Sequence, residues 1–213
     1  MREKSTQWWW IRHAPVPDME GILYGSQDVA CDTTNLRAFQ WLAKILPNNG
    51  IWLTSQLSRT QKTAEAIRQA GLNFSEPIKE SKIGEQNFGD WQGLTWREMK
   101  ERDPILYKEF WKQPARNSPP NGESFKDQVE RVSDVINNLN QIYKEKCIIA
   151  VAHAGSIRAA LVHALEVSPE VGMSFSIDNL SVTCMEYVEG GLLRGKGGGC
   201  RLVFTNRNAD DFI

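Results

Sequence analysis

The sequence predicts an α/β fold, a three-layer α/β/α sandwich in which a mostly parallel central sheet lies between two helical layers. Two runs, residues 8–11 and 147–152, are apolar on both alternating faces, which is typical of central parallel strands covered by helices. Helical patterns lie between the strand-like runs, so strand and helix alternate along the chain. Three strand-like runs end in turns that carry Arg12 and His13, Arg59, and His153.

Length and composition limit the class of protein. With 213 residues, 41% of them apolar, the chain has enough apolar surface for one core, and we interpret residues 1–213 as a single domain. The net charge of −1, with basic and acidic residues interspersed, argues against a nucleic-acid partner. The run at 8–11 is too short for a signal sequence or membrane span, so we expect a cytoplasmic protein without a membrane partner. Four cysteines without a Cys-x-x-Cys pair favour free thiols.

The other elements follow in chain order from hydrophobic periodicity and from helix start and stop signals. They are a helix over about 35–46, a strand at 51–53, a helix over 59–70 that Gly71 stops, a short strand ending near Lys79, a helix over 125–143, a helix from 156 to about 166, a polar turn at 168–172, and strands at 181–188 and 200–205. The loop between the last two strands has the Gly190-x-x-x-x-Gly195-Lys196 spacing of a phosphate loop. Because Gly197 stands where such a loop needs Ser or Thr, and a strand follows, we interpret it as a hairpin connection.

The segment from about 86 to 121 differs in composition from the rest of the chain. It is rich in aromatic, charged and proline residues, and it contains two short helical patterns at about 95–102 and 104–112. We interpret this segment as an insertion that caps the functional site.

The predicted strand ends indicate an anion site. Ligands of open α/β sheets bind at the carboxyl ends of the strands, where helix N-termini direct their positive ends at the crevice. His13 directly follows the first strand, and a neutral imidazole there can attack a phosphoryl group near pH 7. Taken alone, a core histidine bonded to a carbonyl would be the simpler interpretation. Three such strand ends together favour a phosphate site, and we expect their side chains to surround one oxyanion-sized hollow.

Arg59 lies in the first turn of its predicted helix. Ser58 and Gln61 have the spacing of a capping box at the start of that helix. A cation in the first turn opposes the helix dipole, so its placement favours an anion-binding role over a solvated side chain.

His153 repeats the arrangement, because it ends a buried strand and Gly155 permits close backbone approach before the next helix. Two of the three histidines thus end central strands. His163 lies inside the following helix, and we interpret it as a packing or surface residue.

Glu85 lies in a glycine-punctuated loop over residues 83–91. A carboxyl group beside a bound phosphate holds its proton more tightly, since a second negative charge opposes ionisation. Glu85 is therefore a candidate general acid.

Five motifs, taken in order, resemble the histidine phosphatase superfamily, which includes phosphoglycerate mutases and α-ribazole phosphatases. They are Arg12-His13, residues 55–64 (Ser-x-Leu-x-Arg-Thr-x-x-Thr-Ala), Glu85 with residues 88–91 (Phe-Gly-Asp-Trp), residues 121–125 (Asn-Gly-Glu-Ser-Phe), and residues 153–155 (His-x-Gly). The resemblance implies a phosphoglycerate mutase-like fold with no metal and no cofactor. It implies that His13 accepts the phosphoryl group, that Arg12, Arg59 and His153 hold phosphate oxygens, and that Glu85 protonates the leaving oxygen. Further candidates for substrate binding are Tyr24, Glu123 and Ser156.

Two departures from the family pattern bear on activity. Ala14 and Pro15 stand where Gly and Glu are usual, and Met19 stands where many members have a phosphate-contacting Asn. Residues 86–89 (Gln-Asn-Phe-Gly) are closer to α-ribazole phosphatases than to mutases, which favours a phosphatase.

The predicted function is a metal-independent phosphatase that acts on a small phosphate monoester such as α-ribazole 5′-phosphate. Three alternatives stay open. They are a phosphoglycerate mutase, a metal-dependent esterase with His13 and His153 as ligands, and a catalytically silent phosphate-binding module. No oligomeric state is predicted.

Overall fold

The computed structural model describes residues 4–212, and its strands form two sheets. The strands are β1 Ser5–Arg12, β2 Ile22–Leu23, β3 Ile51–Thr54, β4 Ile78–Lys79, β5 Leu94–Thr95, β6 Cys147–Ala152, β7 Val182–Val188 and β8 Cys200–Arg207. The helices are α1 Leu36–Ile45, α2 Ser58–Gln69, α3 Trp96–Arg102, α4 Pro104–Phe110, α5 Phe125–Ile142, α6 Ala154–Leu165, α7 Pro169–Gly172 and the single turn α8 Leu192–Gly195.

The central sheet has the strand order β4-β3-β6-β1-β7-β8. Strands β4, β3, β6 and β1 are parallel, whereas β7 runs antiparallel to both β1 and β8. The register pairs Arg12 with Ala152 and Thr54 with Val151, so β1, β3 and β6 end at one level. The residues that follow these strands therefore lie side by side at the carboxyl edge.

Helices cover both faces of the central sheet, which confirms the predicted three-layer architecture. On one face, Trp8 and Trp10 of β1 belong to a buried cluster with residues of α5 and α6. On the other face, Ile11 of β1 belongs to a second cluster with residues of α1 and α2. Because β1 has apolar side chains on both faces, it is buried between two cores, as parallel central strands are.

The start of α2 differs from the predicted capping box. Leu57 precedes the helix, and Ser58 is already its first residue. The Asp28 carboxylate accepts hydrogen bonds from both the Ser58 N–H and the Ser58 hydroxyl, at 2.7 Å each. The Gln61 amide instead donates to the Gln56 carbonyl. The capping-box prediction is wrong because an acidic side chain thirty residues earlier supplies the cap.

Residues 86–121 form a layer beside the carboxyl edge of the sheet. In this layer α3 and α4 bury Trp91, Met99 and Phe110 in a third apolar cluster. Strand β5 pairs with β2 in a two-stranded sheet that the sequence did not predict. The turn at Gly89 needs glycine, because φ is +52° and a Cβ there would lie 2.0 Å from the Pro120 carbonyl oxygen.

Within residues 4–212, the helices lack the combination of length and apolar character that crossing a bilayer requires.

Candidate active site

The carboxyl edge of the sheet brings the predicted cationic and nucleophilic groups together. The imidazole rings of His13 and His153, at the ends of β1 and β6, have centroids 5.1 Å apart. Burial lowers the pKa of both imidazoles, and the positive charges of Arg59 and Arg12 lower it further. The two imidazoles thus lie side by side at the ends of neighbouring strands.

The protonation state of His13 follows from its single hydrogen bond. Nδ1 lies 2.7 Å from the Ala14 carbonyl oxygen, and because a carbonyl only accepts, Nδ1 carries the proton. In the neutral ring Nε2 then keeps its lone pair. Burial, followed by the Arg59 charge, lowers the pKa of His13 to about 3, so the ring is neutral at physiological pH. The site therefore presents an imidazole lone pair, as nucleophilic attack requires.

His153 is fixed through its other nitrogen. Its Nε2 lies 2.8 Å from the Ser55 hydroxyl, and its Nδ1 is buried without a partner among the described residues. Burial and the neighbouring His13 hold its pKa well below the usual range. When Ser55 donates to Nε2, the ring proton lies on Nδ1, and His153 is a neutral donor.

Several buried donors at this edge lack partners within residues 4–212. Nδ1 of His153 and the Nε atoms of Arg12 and Arg59 are among them. The guanidinium of Arg59 is fully buried, and its Nη atoms donate to the carbonyls of Gly25 and Gln27 at 2.7 and 2.6 Å. Leaving a buried donor unpaired costs about 1–3 kcal/mol, more for a charged group. Buried N–H donors on cationic side chains are suited to an anionic acceptor.

Glu85 is held by three N–H donors. Its Oε1 accepts from the Gln86 N–H at 3.0 Å and the Gln128 amide at 3.2 Å, and its Oε2 accepts from the Gly155 N–H at 3.3 Å. A Cβ at position 155 would lie 2.3 Å from Oε1, so a side chain there would displace this carboxylate from its present position.

The hollow around His13 is more enclosed than predicted. The ring of His13 is 1% exposed, and Arg59 and His153 are fully buried. A cavity of about 320 Å³ lies beside them and is lined by Glu85, Gly155 and residues of the 86–121 segment. The site thus has two parts, a closed cationic cluster and an open cavity, and Glu85 borders the cavity.

Of the three further candidates for substrate binding, the structure corrects two, Glu123 and Ser156. Glu123 forms an ion pair with Arg131, with Oε1 2.8 Å from Nη2, and accepts a hydrogen bond from the Asn87 N–H. Ser156 is fully buried and donates to the carbonyls of residues 83 and 84. Neither side chain lines the cavity, and both hold the loop that carries Glu85. Tyr24 does line the cavity, and its ring centroid lies 5.2 Å from Cζ of Arg59.

The sequence analysis missed Ser55, Gln128 and Arg158. Ser55 directly follows β3, so the strand-end rule could have found it. Gln128 is fully buried on the apolar face of α5, three residues after Phe125, and an uncharged polar residue at such a position is a usable signal. Arg158 lines the cavity one turn after Gly155 on α6.

Among residues 4–212, His, Cys, Asp and Glu side chains form no cluster of three or more that could hold a metal ion.

The mostly parallel sheet, with an imidazole lone pair and buried cationic donors at its carboxyl edge, defines an α/β protein with a site suited to an anion. Comparison with known proteins names the family. The sequence profile of the histidine phosphatase superfamily (branch 1) matches residues 8–194, and the chain belongs to this superfamily.

Sequence relatives of this chain include two mutases, and a solved phosphatase structure is similar in fold. Phosphoglycerate mutase of Schizosaccharomyces pombe is 31% identical over 148 residues, which are 66% of this chain and 70% of that enzyme. A 2,3-bisphosphoglycerate-dependent phosphoglycerate mutase of Bartonella tribocorum is 34% identical over 116 residues, 53% of this chain and 56% of that enzyme. The match therefore spans little more than half of the Bartonella enzyme. The structure of α-ribazole phosphatase from Shigella flexneri has a TM-score of 0.78 at 20% identity, covers 94% of this chain and 96% of its own, and is similar in fold.

Proposed function

We propose that this chain is a metal-independent phosphatase that hydrolyses a small phosphate monoester through a phosphohistidine at His13. The observation that carries the proposal is the lone pair on Nε2, fixed by the Nδ1 hydrogen bond to Ala14 and set among unpaired cationic donors. Substrate phosphate is proposed to bind where the free N–H groups of Arg12, Arg59 and His153 meet.

In the first step, Nε2 of His13 attacks phosphorus and forms the P–N bond while the bond from phosphorus to the alcohol oxygen breaks. Glu85 gives its proton to that oxygen, so the alcohol leaves neutral. The two guanidinium groups and the His153 N–H stabilise the charge on the transferring phosphoryl oxygens without a metal ion.

In the second step, water attacks the phosphohistidine. The Glu85 carboxylate takes a proton from the water, the P–N bond breaks, and its electron pair returns to Nε2. Inorganic phosphate leaves, and His13 and Glu85 regain their starting protonation states. The net reaction is hydrolysis of one phosphate ester.

Phosphatase activity is favoured over mutase activity by residues 86–89, which are similar to those of α-ribazole phosphatases. α-Ribazole 5′-phosphate is therefore the first named substrate to assay, beside phosphoglycerates and sugar phosphates.

The proposal is tested by turnover of p-nitrophenyl phosphate in EDTA. His13→Asn can keep the hydrogen bond to Ala14 but lacks the attacking nitrogen, and we expect kcat/KM to fall at least about a thousandfold. His163→Asn is the matched control, since His163 packs against Tyr187, 6.0 Å between ring centroids, away from the site. Its activity should match wild type.

Two outcomes would contradict the proposal. If His13→Asn is about as active as wild type, His13 is not the nucleophile. If the wild-type protein loses its activity in EDTA, the reaction depends on a metal ion. Glu85→Gln tests the role of Glu85 as general acid, because the loss of kcat/KM in this variant should be larger for alkyl than for nitrophenyl leaving groups. Equal losses would argue against proton donation by Glu85.

A further inference from the structure

The cavity beside Glu85 is walled mainly by aromatic side chains. Among them are Tyr24, Trp96, Phe110 and Trp111, the last three from the 86–121 segment. Its volume of about 320 Å³ falls at the lower end of the range for small-molecule sites, about 300–1,000 Å³. The cavity therefore suits a compact guest.

Two aromatic side chains of the cavity are only partly covered by the protein. Trp96 and Trp111 are tilted by 51° at a centroid distance of 5.6 Å, and Phe110 packs against Trp111 in an edge-to-face contact at 86°. Despite these contacts, Trp96 and Trp111 are each 43% exposed, although large apolar side chains are favourable to bury. A flat ring system in the cavity would cover part of this exposed aromatic surface.

The charged groups of the cavity lie at one end. Of the described lining residues, only Glu85 and Arg158 carry charge. Glu85 accepts a hydrogen bond from the Gly155 N–H, and Arg158 follows Gly155 by three residues on α6, so the two charged residues lie on the same side of the cavity. The Arg158 guanidinium donates from Nε to the Phe175 carbonyl at 2.8 Å. The cavity is thus polar at the Glu85 end and apolar beyond it.

We propose that the substrate is a phosphate monoester whose alcohol carries a flat, uncharged ring system, with the ring in the aromatic cavity and the phosphate at the Glu85 end. This inference rests on the proposed function, because it places the leaving group beside the general acid. Sugar and glycerate esters that carry no flat ring system are disfavoured, since their hydroxyl or carboxylate groups would lose water against apolar walls without gaining partners.

Three alkyl phosphates with primary alcohols test the substrate class, because their leaving oxygens are chemically alike. They are 2-naphthylmethyl phosphate, cyclohexylmethyl phosphate and ethyl phosphate. We expect kcat/KM for the naphthylmethyl ester to exceed that for the ethyl ester at least about thirtyfold, and that for the bulky but non-planar cyclohexylmethyl ester at least about fivefold. Equal values for all three would overturn the inference.

Trp111→Ala tests the contribution of the aromatic side chains that line the cavity. Trp111 is partly exposed, and its removal should lower the naphthylmethyl-to-ethyl ratio of kcat/KM about tenfold. Ile105→Ala is the control, because Ile105 is 77% exposed on α4, the helix that directly precedes Trp111, and does not line the cavity. That variant should keep the wild-type ratio. If Trp111→Ala keeps the wild-type naphthylmethyl-to-ethyl ratio of kcat/KM and the wild-type thermal stability, the aromatic lining does not bind the ring of the substrate.

Binding of the product alcohol separates this inference from the proposed function. Titration with 2-naphthylmethanol, followed by tryptophan fluorescence, needs no turnover. Saturable binding that Trp111→Ala weakens would support the cavity assignment even if no ester were hydrolysed. Hydrolysis of p-nitrophenyl phosphate without ring preference or alcohol binding would leave the phosphatase proposal standing and overturn the substrate class.

Discussion

Lowering the pH from 8 to 5 is expected to destabilise the fold through the two buried histidines. In the unfolded chain each imidazole has an ordinary pKa of about 6.5, whereas burial lowers the pKa of His13 to about 3 and that of His153 well below its usual value. Below pH 6.5 the unfolded state therefore binds more protons than the folded state, so the free energy of unfolding falls as the pH falls. For His13 the loss continues down to the folded pKa.

The magnitude at pH 5 depends little on how far below 5 the folded pKa lies. The unfolded pKa is about 1.5 units above pH 5, and each unit corresponds to about 1.36 kcal/mol, so His13, with a folded pKa of about 3, contributes a loss of about 2 kcal/mol between pH 8 and 5. Burial lowers the pKa of His153 too, so His153 adds to this loss in the same direction. Ordinary carboxylates, with pKa values near about 4, add little in this window.

Urea unfolding at pH 8, 6.5 and 5 in phosphate-free buffer measures this loss. His13→Asn removes one titrating group and keeps a donor for the Ala14 carbonyl, so its loss should be about 2 kcal/mol smaller than that of wild type. The m-value, which is the slope of the free energy of unfolding against urea concentration, serves as the control and should be equal in both proteins. Equal pH dependence in wild type and variant would refute the reasoning.

Three substitutions test the support around the site. Gly155→Ala places a methyl group against the Glu85 carboxylate and should lower kcat/KM about a hundredfold without unfolding the chain. Unchanged activity would show that the close approach of residue 155 to Glu85 does not matter for turnover. Gln128→Leu removes a hydrogen-bond donor to Glu85 and should reduce turnover about tenfold, with a larger loss for alkyl than for nitrophenyl esters. An equal loss for both ester types would show that Gln128 does not act through proton donation by Glu85. Ser55→Ala frees His153 and should raise the inhibition constant of inorganic phosphate about fivefold, and an unchanged constant would contradict its orienting role.

The strand ends could be predicted because their signals are local. A doubly apolar strand followed directly by His13 or His153 determines both the element and the end at which the side chain emerges. Parallel pairing then brings these ends to one edge, so convergence follows from fold class alone. The same reasoning applies to Arg59, whose helix α2 follows β3.

The partners of these residues could not be predicted, because they come from distant parts of the chain. Asp28 caps α2 across thirty residues, and the carbonyls bound by Arg59 belong to a loop that no periodic pattern describes. Glu123 has the right residue type for a substrate contact but meets Arg131, eight residues later. Sequence spacing identifies which residues approach the site, whereas only the packed loops determine whether their side chains are free.

The burial that destabilises the protein in acid also prepares it for an anion. Arg12, Arg59 and low polarity hold His13 and His153 neutral, and a bound dianion would oppose these effects and raise the pKa of both imidazoles. Anion binding should then take up protons, so it should stabilise the fold more at pH 5 than at pH 8. Sulfate is the suitable probe, because its charge is constant over this range. With sodium chloride at equal ionic strength as the control, the sulfate-induced shift in Tm should grow as the pH falls, and less so in His13→Asn. A shift independent of pH would mean that the anion does not bind beside these imidazoles.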